Sequence, residues 1–157
     1  MRIAFLVIFF FPLSIFSQIK AKIVGVKDGD TVVALLEGNQ QMTLRLADVD
    51  CPEKGQAYGT QARKFTSDQV FGKNVVFYIE TTDRYGRAVA RIYDGSRYLS
   101  EEIIRAGYGW WYERYSKNIY LKTVEAEARR AKRGLWADPH AVPPWDYRRM
   151  QRGKKAA

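Results

Sequence analysis

At 157 residues the chain is long enough for one domain with a real hydrophobic core, and aromatic residues make up 14% of it, which excludes a disordered composition. The net charge of +9, spread along the chain, suits nucleic acid first and an anionic membrane surface second as partner, with a merely soluble basic protein as the weaker alternative. One cysteine, Cys51, rules out an intramolecular disulfide, and one histidine, His140 in a Pro-rich stretch, rules out a Ser-His-Asp triad, a Cys-His pair and a multi-histidine zinc site.

Met1-Arg2, an apolar run over 3–11 and the small residue Ser17 read as a secretory signal peptide over 1–17, with Ile15 in place of the small residue usual two positions before the cleavage point. The run is short for a membrane span, which needs about 20 residues, although an uncleaved anchor is the alternative. The expectation is an exported protein, periplasmic or secreted. Any membrane contact would run through this segment.

The β-branched stretch 19–26 predicts a strand, Asp28-Gly29-Asp30 a turn, and 31–36 a second strand. Glu37-Gly38-Asn39-Gln40 reads as a hairpin connection, followed by a third strand over 42–47 with Met42, Leu44 and Leu46 alternating against Thr43 and Arg45. In this meander the start of the second strand lies beside the end of the third, so Asp30 and Asp50 can converge at one rim.

A helix is expected over 60–71, stopped by Gly72, with strands over 74–79 and 87–93 separated by the polar loop 81–86. Ser100 reads as the N-cap of a second helix ending at Gly107, with Glu101 and Glu102 in its first turn. An aromatic stretch covers 108–115, and a third helix is expected over 118–133 before Gly134. The predicted class is α+β with a mainly β core, a five-stranded OB-type barrel with three helices spanning 18–137. Residues 138–157 are expected to form an irregular Pro-rich, basic C-terminal tail.

The run Arg45-Leu46-Ala47-Asp48-Val49-Asp50-Cys51-Pro52-Glu53 places a guanidinium and three carboxylates at the end of a strand. Charge of that density must face water, itself, a metal or an anionic ligand, because burying it unpaired is costly. Asp carboxylates are hard oxygen donors that suit a metal cation, and arginines offer the fork that matches a phosphate. The competing reading is a set of surface ion pairs, Arg45 with Asp48 and Arg87 with Asp83.

Four motifs in order, Asp28-Gly29-Asp30-Thr31, the 45–53 run, Asp83-Arg84-Tyr85-Gly86-Arg87, and Glu125-Ala126-Glu127-Ala128-Arg129 leading to Gly134-Leu135-Trp136, together resemble the micrococcal (staphylococcal) nuclease, or thermonuclease, family. The resemblance spans about 22–136. It implies an OB barrel that hydrolyses DNA and RNA with Ca²⁺, without strong sequence specificity, leaving 3′-phosphate ends. By the same resemblance Asp30, Asp50 and the main-chain carbonyl of Cys51 are metal ligands, Arg45 and Arg87 hold the scissile phosphate, and Glu53 is the general base. Arg84 and Tyr85 are expected at a terminal phosphate, and Tyr115 at the nucleotide base.

Two departures stand out. Glu113 occupies the place of the family's first pocket tyrosine, so Trp111 or Tyr112 is expected to take over stacking. Asp48 replaces an apolar residue or glycine, and could strengthen metal binding, order a water or pair with an arginine. No protein partner is implied and a monomer is expected. The alternative function is a non-catalytic nucleic-acid-binding OB module, and a third reading is a membrane-surface protein.

Overall fold

The computed structural model describes residues 18–156; the leader expected over 1–17 lies outside the described residues. Strand β1, Ile19–Asp28, turns Ala21 and Ile23 inward and Lys20 and Lys22 to solvent, the alternation of a half-buried strand. It pairs antiparallel with β2, Thr31–Leu35, which pairs antiparallel with β3, Gln41–Leu46. A two-residue strand β4, Val49–Asp50, follows, and then helix α1, Gly59–Val70.

Strand β5, Asn74–Thr82, returns beside β1 and pairs with β6, Ala88–Asp94. A parallel pairing of β3 with β6 closes the cylinder, so five strands form a barrel in the order β1-β2-β3-β6-β5. This is the expected OB-type architecture. Ile23, Val32, Leu44, Leu46, Phe77 and Ile92 fill its core. The chain continues through the short strand β7, Arg97–Tyr98, helix α2, Leu99–Arg105, strand β8, Trp110–Trp111, and helix α3, Tyr120–Arg130. Ile103 and Ile104 of α2 and Leu121 and Val124 of α3 extend the core below the barrel.

Two local expectations change. Ser100 is not an N-cap: α2 begins one residue earlier, and the buried Ser100 hydroxyl donates to the Ala47 carbonyl at 2.7 Å. A backbone acceptor buried at the end of β3 takes the hydroxyl away from the helix terminus. The C-terminal segment is not an irregular tail throughout. Residues Pro144–Ala156 form a fourth helix, α4, with Pro144 at its first position, where the missing N–H costs nothing, and Asp146 in its first turn. No described helix is long and apolar enough to cross a membrane.

Candidate active site

The register of β2 on β3 builds the site. Thr31 lies opposite Arg45, and the Leu46 N–H donates to the Asp30 carbonyl at 2.9 Å, so the 28–31 turn and the end of β3 share one rim. Gly29 permits their close approach. A Cβ there would stand 2.7 Å from Cys51 Cβ and 2.9 Å from Ala62 Cβ, closer than side-chain carbons come. The Cys51 N–H then donates to Asp30 Oδ2 at 2.8 Å, tying the first carboxylate to the peptide that follows the second. Antiparallel pairing of Asp50 with Trp110 fixes β4 against β8.

Arg45 sits between the two carboxylates. Its Nη2 lies 2.9 Å from Asp50 Oδ1 and 3.2 Å from Asp30 Oδ2, while Nη1 donates to the carbonyls of Leu46 at 2.6 Å and Val49 at 2.8 Å. The side chain is only 11% exposed. Burial works against its charge, but Asp30 and Asp50 outweigh that and raise its pKa. Burial also raises the pKa of Asp50, an effect offset in part by hydrogen bonding from Arg148. Asp28, on the same turn, is pushed up to about 6 by burial and by the neighbouring Asp30. The rim therefore holds more carboxylate than its surroundings comfortably ionise.

Arg87 lies across Thr31. Its Nη1 is 3.4 Å from Thr31 Oγ1, whose hydroxyl donates to Asp30 Oδ1 at 3.2 Å. Its Nε also pairs with Asp83 at 2.7 Å, as the ion-pair reading expects, so Asp83 aims this arginine rather than neutralising an idle one. The other ion pair of that reading, Arg45 with Asp48, does not form. Asp48 is buried with φ of 67°, accepts a hydrogen bond from the Tyr98 hydroxyl at 2.8 Å, and lies 3.7 Å from Arg91 Nε.

Glu53 follows the turn at Pro52, and its carboxylate meets Arg148 of α4 at 2.5 Å. The same guanidinium grips Asp50, Nη2 to Oδ2 at 2.8 Å and Nη1 to Oδ1 at 3.3 Å. Arg148 was not among the residues expected here. Its one signal in the sequence is the helix start at Pro144 and Asp146, which makes the segment an ordered element instead of a tail.

The aromatic candidates separate. Tyr85 and Tyr115 are 69% and 67% exposed, with Arg84 4.8 Å and Arg87 5.5 Å from the Tyr85 ring centre. Tyr112 is half-buried and stacked on Trp145 of α4, the rings 5.7 Å apart and 3° from parallel. Trp111 belongs to the core, because its pairing with Val49 turns it inward, so its faces are not free for a base.

Among the described residues no three Asp, Glu, His or Cys side chains form a ready metal cage. The donor set of Asp30, Asp50 and the Cys51 carbonyl is all oxygen. Burial first, and the neighbouring Asp30 charge second, hold Asp28 and Asp50 above the usual carboxylate range, and an all-oxygen set of this kind fits a hard cation that keeps several waters.

The model of the family described as "Staphylococcal nuclease homologue" matches residues 43–138. A Haemophilus influenzae protein named "Uncharacterized endonuclease" is 38% identical over 151 residues, covering 94% of this chain and 84% of its own. An Escherichia coli O157:H7 protein of the same name is 37% identical over 146 residues, covering 91% of this chain and 94% of its own. A Shigella flexneri protein named "Micrococcal nuclease" is 34% identical over 147 residues, covering 87% and 84%. The chain belongs to the staphylococcal nuclease homologue family, and it is a nuclease. Asp30 and Arg148 lie outside the matched segment.

Proposed function

We propose that this nuclease is a Ca²⁺-dependent phosphodiesterase that cuts DNA and RNA without strong sequence preference and leaves 3′-phosphate ends. The observation that carries the reading is the convergence of Asp30, Arg45 and Asp50 within hydrogen-bond distance on one rim, flanked by Glu53 and Arg87. Asp30, Asp50 and the Cys51 carbonyl would hold the calcium. When bound, the ion supplies positive charge that offsets the negative charge gathering on a phosphoryl oxygen.

Arg87, just before β6, presents N–H donors to the non-bridging oxygens of the phosphate, whose charge grows toward the transition state, and Arg45, held on β3 by carboxylates and carbonyls, adds its fixed positive charge beside them. Glu53 takes the proton from the attacking water as the bond to phosphorus forms and the bond to the 5′-oxygen breaks. Arg84 and Tyr85, exposed on the 83–86 turn, meet a neighbouring phosphate, and Tyr115 offers a free ring face to a base. A groove of about 670 Å³ beside β8, α3 and α4 is lined by five basic side chains, Arg114, Lys122 and Arg152 among them, against the acidic Glu113, Glu125 and Asp146, and this positive balance favours a polyanion. Export through the 1–17 leader is part of the same proposal and rests on its apolar run.

The test is incubation with single-stranded DNA and with RNA, in Ca²⁺ or in chelator. Cleavage should require the ion, and the products should resist 3′-extension until treated with phosphatase. Cleavage that persists in chelator, or free 3′-hydroxyl ends, would refute the reading. Glu53→Gln should lower turnover by about a hundredfold or more with substrate affinity retained.

A further inference from the structure

We infer that helix α4 supplies a positioning residue, Arg148, which sets the carboxylate of Glu53 against Asp50; the inference rests on the role proposed above for Glu53. Among the described residues that carboxylate accepts a hydrogen bond from Arg148 alone. Glu53 lies in a stretch without regular structure between β4 and α1, so its own backbone does not determine where the side chain goes.

The C-terminal segment holds this residue twice. Gln56, nearly buried, accepts the Glu53 N–H on Oε1 at 3.0 Å and donates from Nε2 to the Val142 carbonyl at 2.6 Å. That relay fixes the main chain of Glu53 to the approach of α4. Arg148, one turn into α4, fixes the side chain. Trp145, stacked on Tyr112, pins the helix from its other flank.

The shape of the guanidinium matters. Asp50 and Glu53 are like charges brought to one place, and they stay together only with a cation between them. Arg148 reaches both, with two nitrogens on Asp50 and one of these also on Glu53, so a single planar group sets the angle between the two carboxylates. An ammonium would supply the charge without the fork. A base displaced by about 1 Å from its water loses on the order of a hundredfold in rate, which is the scale at which such a fork acts.

The experiment compares Arg148→Ala and Arg148→Lys, each alone and combined with Glu53→Gln, by steady-state cleavage in Ca²⁺ and by side-chain ¹³C relaxation at Glu53 in the metal-free protein. Arg148→Ala should lower kcat roughly tenfold to a hundredfold with KM changed less than about threefold. Arg148→Lys should recover part of the loss, and added guanidinium ion should recover part of it in the alanine variant. In the Glu53→Gln background Arg148→Ala should cost less than about a further twofold, since it acts through the residue already removed. Relaxation should show an ordered Glu53 side chain in the wild type and a freely rotating one in Arg148→Ala.

An unchanged or raised kcat in Arg148→Ala overturns the inference, and a raised kcat would make α4 an inhibitory strap. A full additional loss in the Glu53→Gln background also overturns it, by placing Arg148 on the phosphate itself. If the wild type does not cleave in Ca²⁺, the proposed function fails. The relaxation measurement alone then decides whether Arg148 orders Glu53.

Discussion

Replacing Asp48 tests whether the carboxylate two residues before the proposed ligand Asp50 belongs to the metal or to the barrel. Its carboxylate accepts from Tyr98 at 2.8 Å, the same hydroxyl lies 3.2 Å from the Ala47 carbonyl, and its backbone is left-handed at φ of 67°. Asp48→Ala loses a charge-assisted hydrogen bond worth about 1.5–3 kcal/mol and puts alanine where an L side chain is strained by roughly 1 kcal/mol. Arg91 keeps Glu80 at 2.6 Å, so little is lost there. The expected loss is about 2–4 kcal/mol in urea unfolding of the metal-free protein, a fall in Tm of roughly 10 °C for a chain of this size.

Asp48→Gly should lose about 1 kcal/mol less than the alanine variant, because glycine adopts positive φ freely. Asp48→Asn keeps an acceptor for Tyr98 and tolerates the backbone, so it should stay within about 1 kcal/mol of wild type. Calorimetric Ca²⁺ affinity of Asp48→Asn should fall less than about fivefold, the effect of one remote charge, while Asp50→Ala should fall far more. A stability change under about 0.5 kcal/mol in Asp48→Ala, or a collapse of Ca²⁺ binding in Asp48→Asn, would refute the assignment of Asp48 to the barrel.

Gly29→Ala should destabilise the protein by about 1–3 kcal/mol and weaken Ca²⁺ binding together, because its Cβ would press on Cys51 and Ala62 and move the turn that carries Asp30; Cys51→Ala should relieve part of both effects, and a calorimetric affinity equal to wild type would contradict the packing argument. Asp28→Asn should stabilise the metal-free protein at pH 7.5 and not at pH 4. The folded carboxyl titrates at about 6 against 3.8, so the native state binds this proton more tightly than the unfolded chain does. Stability is therefore lost as pH rises from 3.8 through 6, by roughly 1–3 kcal/mol, and asparagine removes that loss. Equal gains at both pH values in urea titrations would show that charge is not the cause.

The barrel is legible because its strands alternate with period two and its turns carry Gly, Asp and Asn, so the meander alone places Asp30 and Asp50 on one rim. The 45–53 run stood out because its charge has no place in an ordinary strand. What escaped was tertiary. Pro139, Pro143 and Pro144 read as breakers, yet Pro144 is the first residue of α4, and only the fold shows that this helix lies across Glu53. Trp111 and Tyr115 belong to one aromatic stretch, and composition cannot separate the ring that β4 turns into the core from the ring left 67% exposed. Ser100 looked like a cap because the rule is local, whereas the Ala47 carbonyl that claims its hydroxyl lies 53 residues away.

The three arginines of the site differ in what else holds them, and this separates their contributions to folding from those to turnover. Polar groups alternate along the rim from Arg87 through Thr31, Asp30, Arg45, Asp50 and Arg148 to Glu53. Arg45 is bound to two main-chain carbonyls as well as two carboxylates, so it is part of the framework and cannot turn away. Arg87, 32% exposed, can re-aim when a phosphate arrives, whereas Arg148, 34% exposed, is held by Asp50 and Glu53. Arg45→Lys leaves buried carbonyls and carboxylates short of donors and should cost about 2–4 kcal/mol of stability along with turnover. Arg87→Lys should cost less than about 1 kcal/mol of stability, as an exposed ion pair does, while turnover still falls because the fork is gone. Urea unfolding and single-turnover cleavage of the two variants measure the division. Equal stability losses would show that the carbonyl contacts of Arg45 do not anchor the rim.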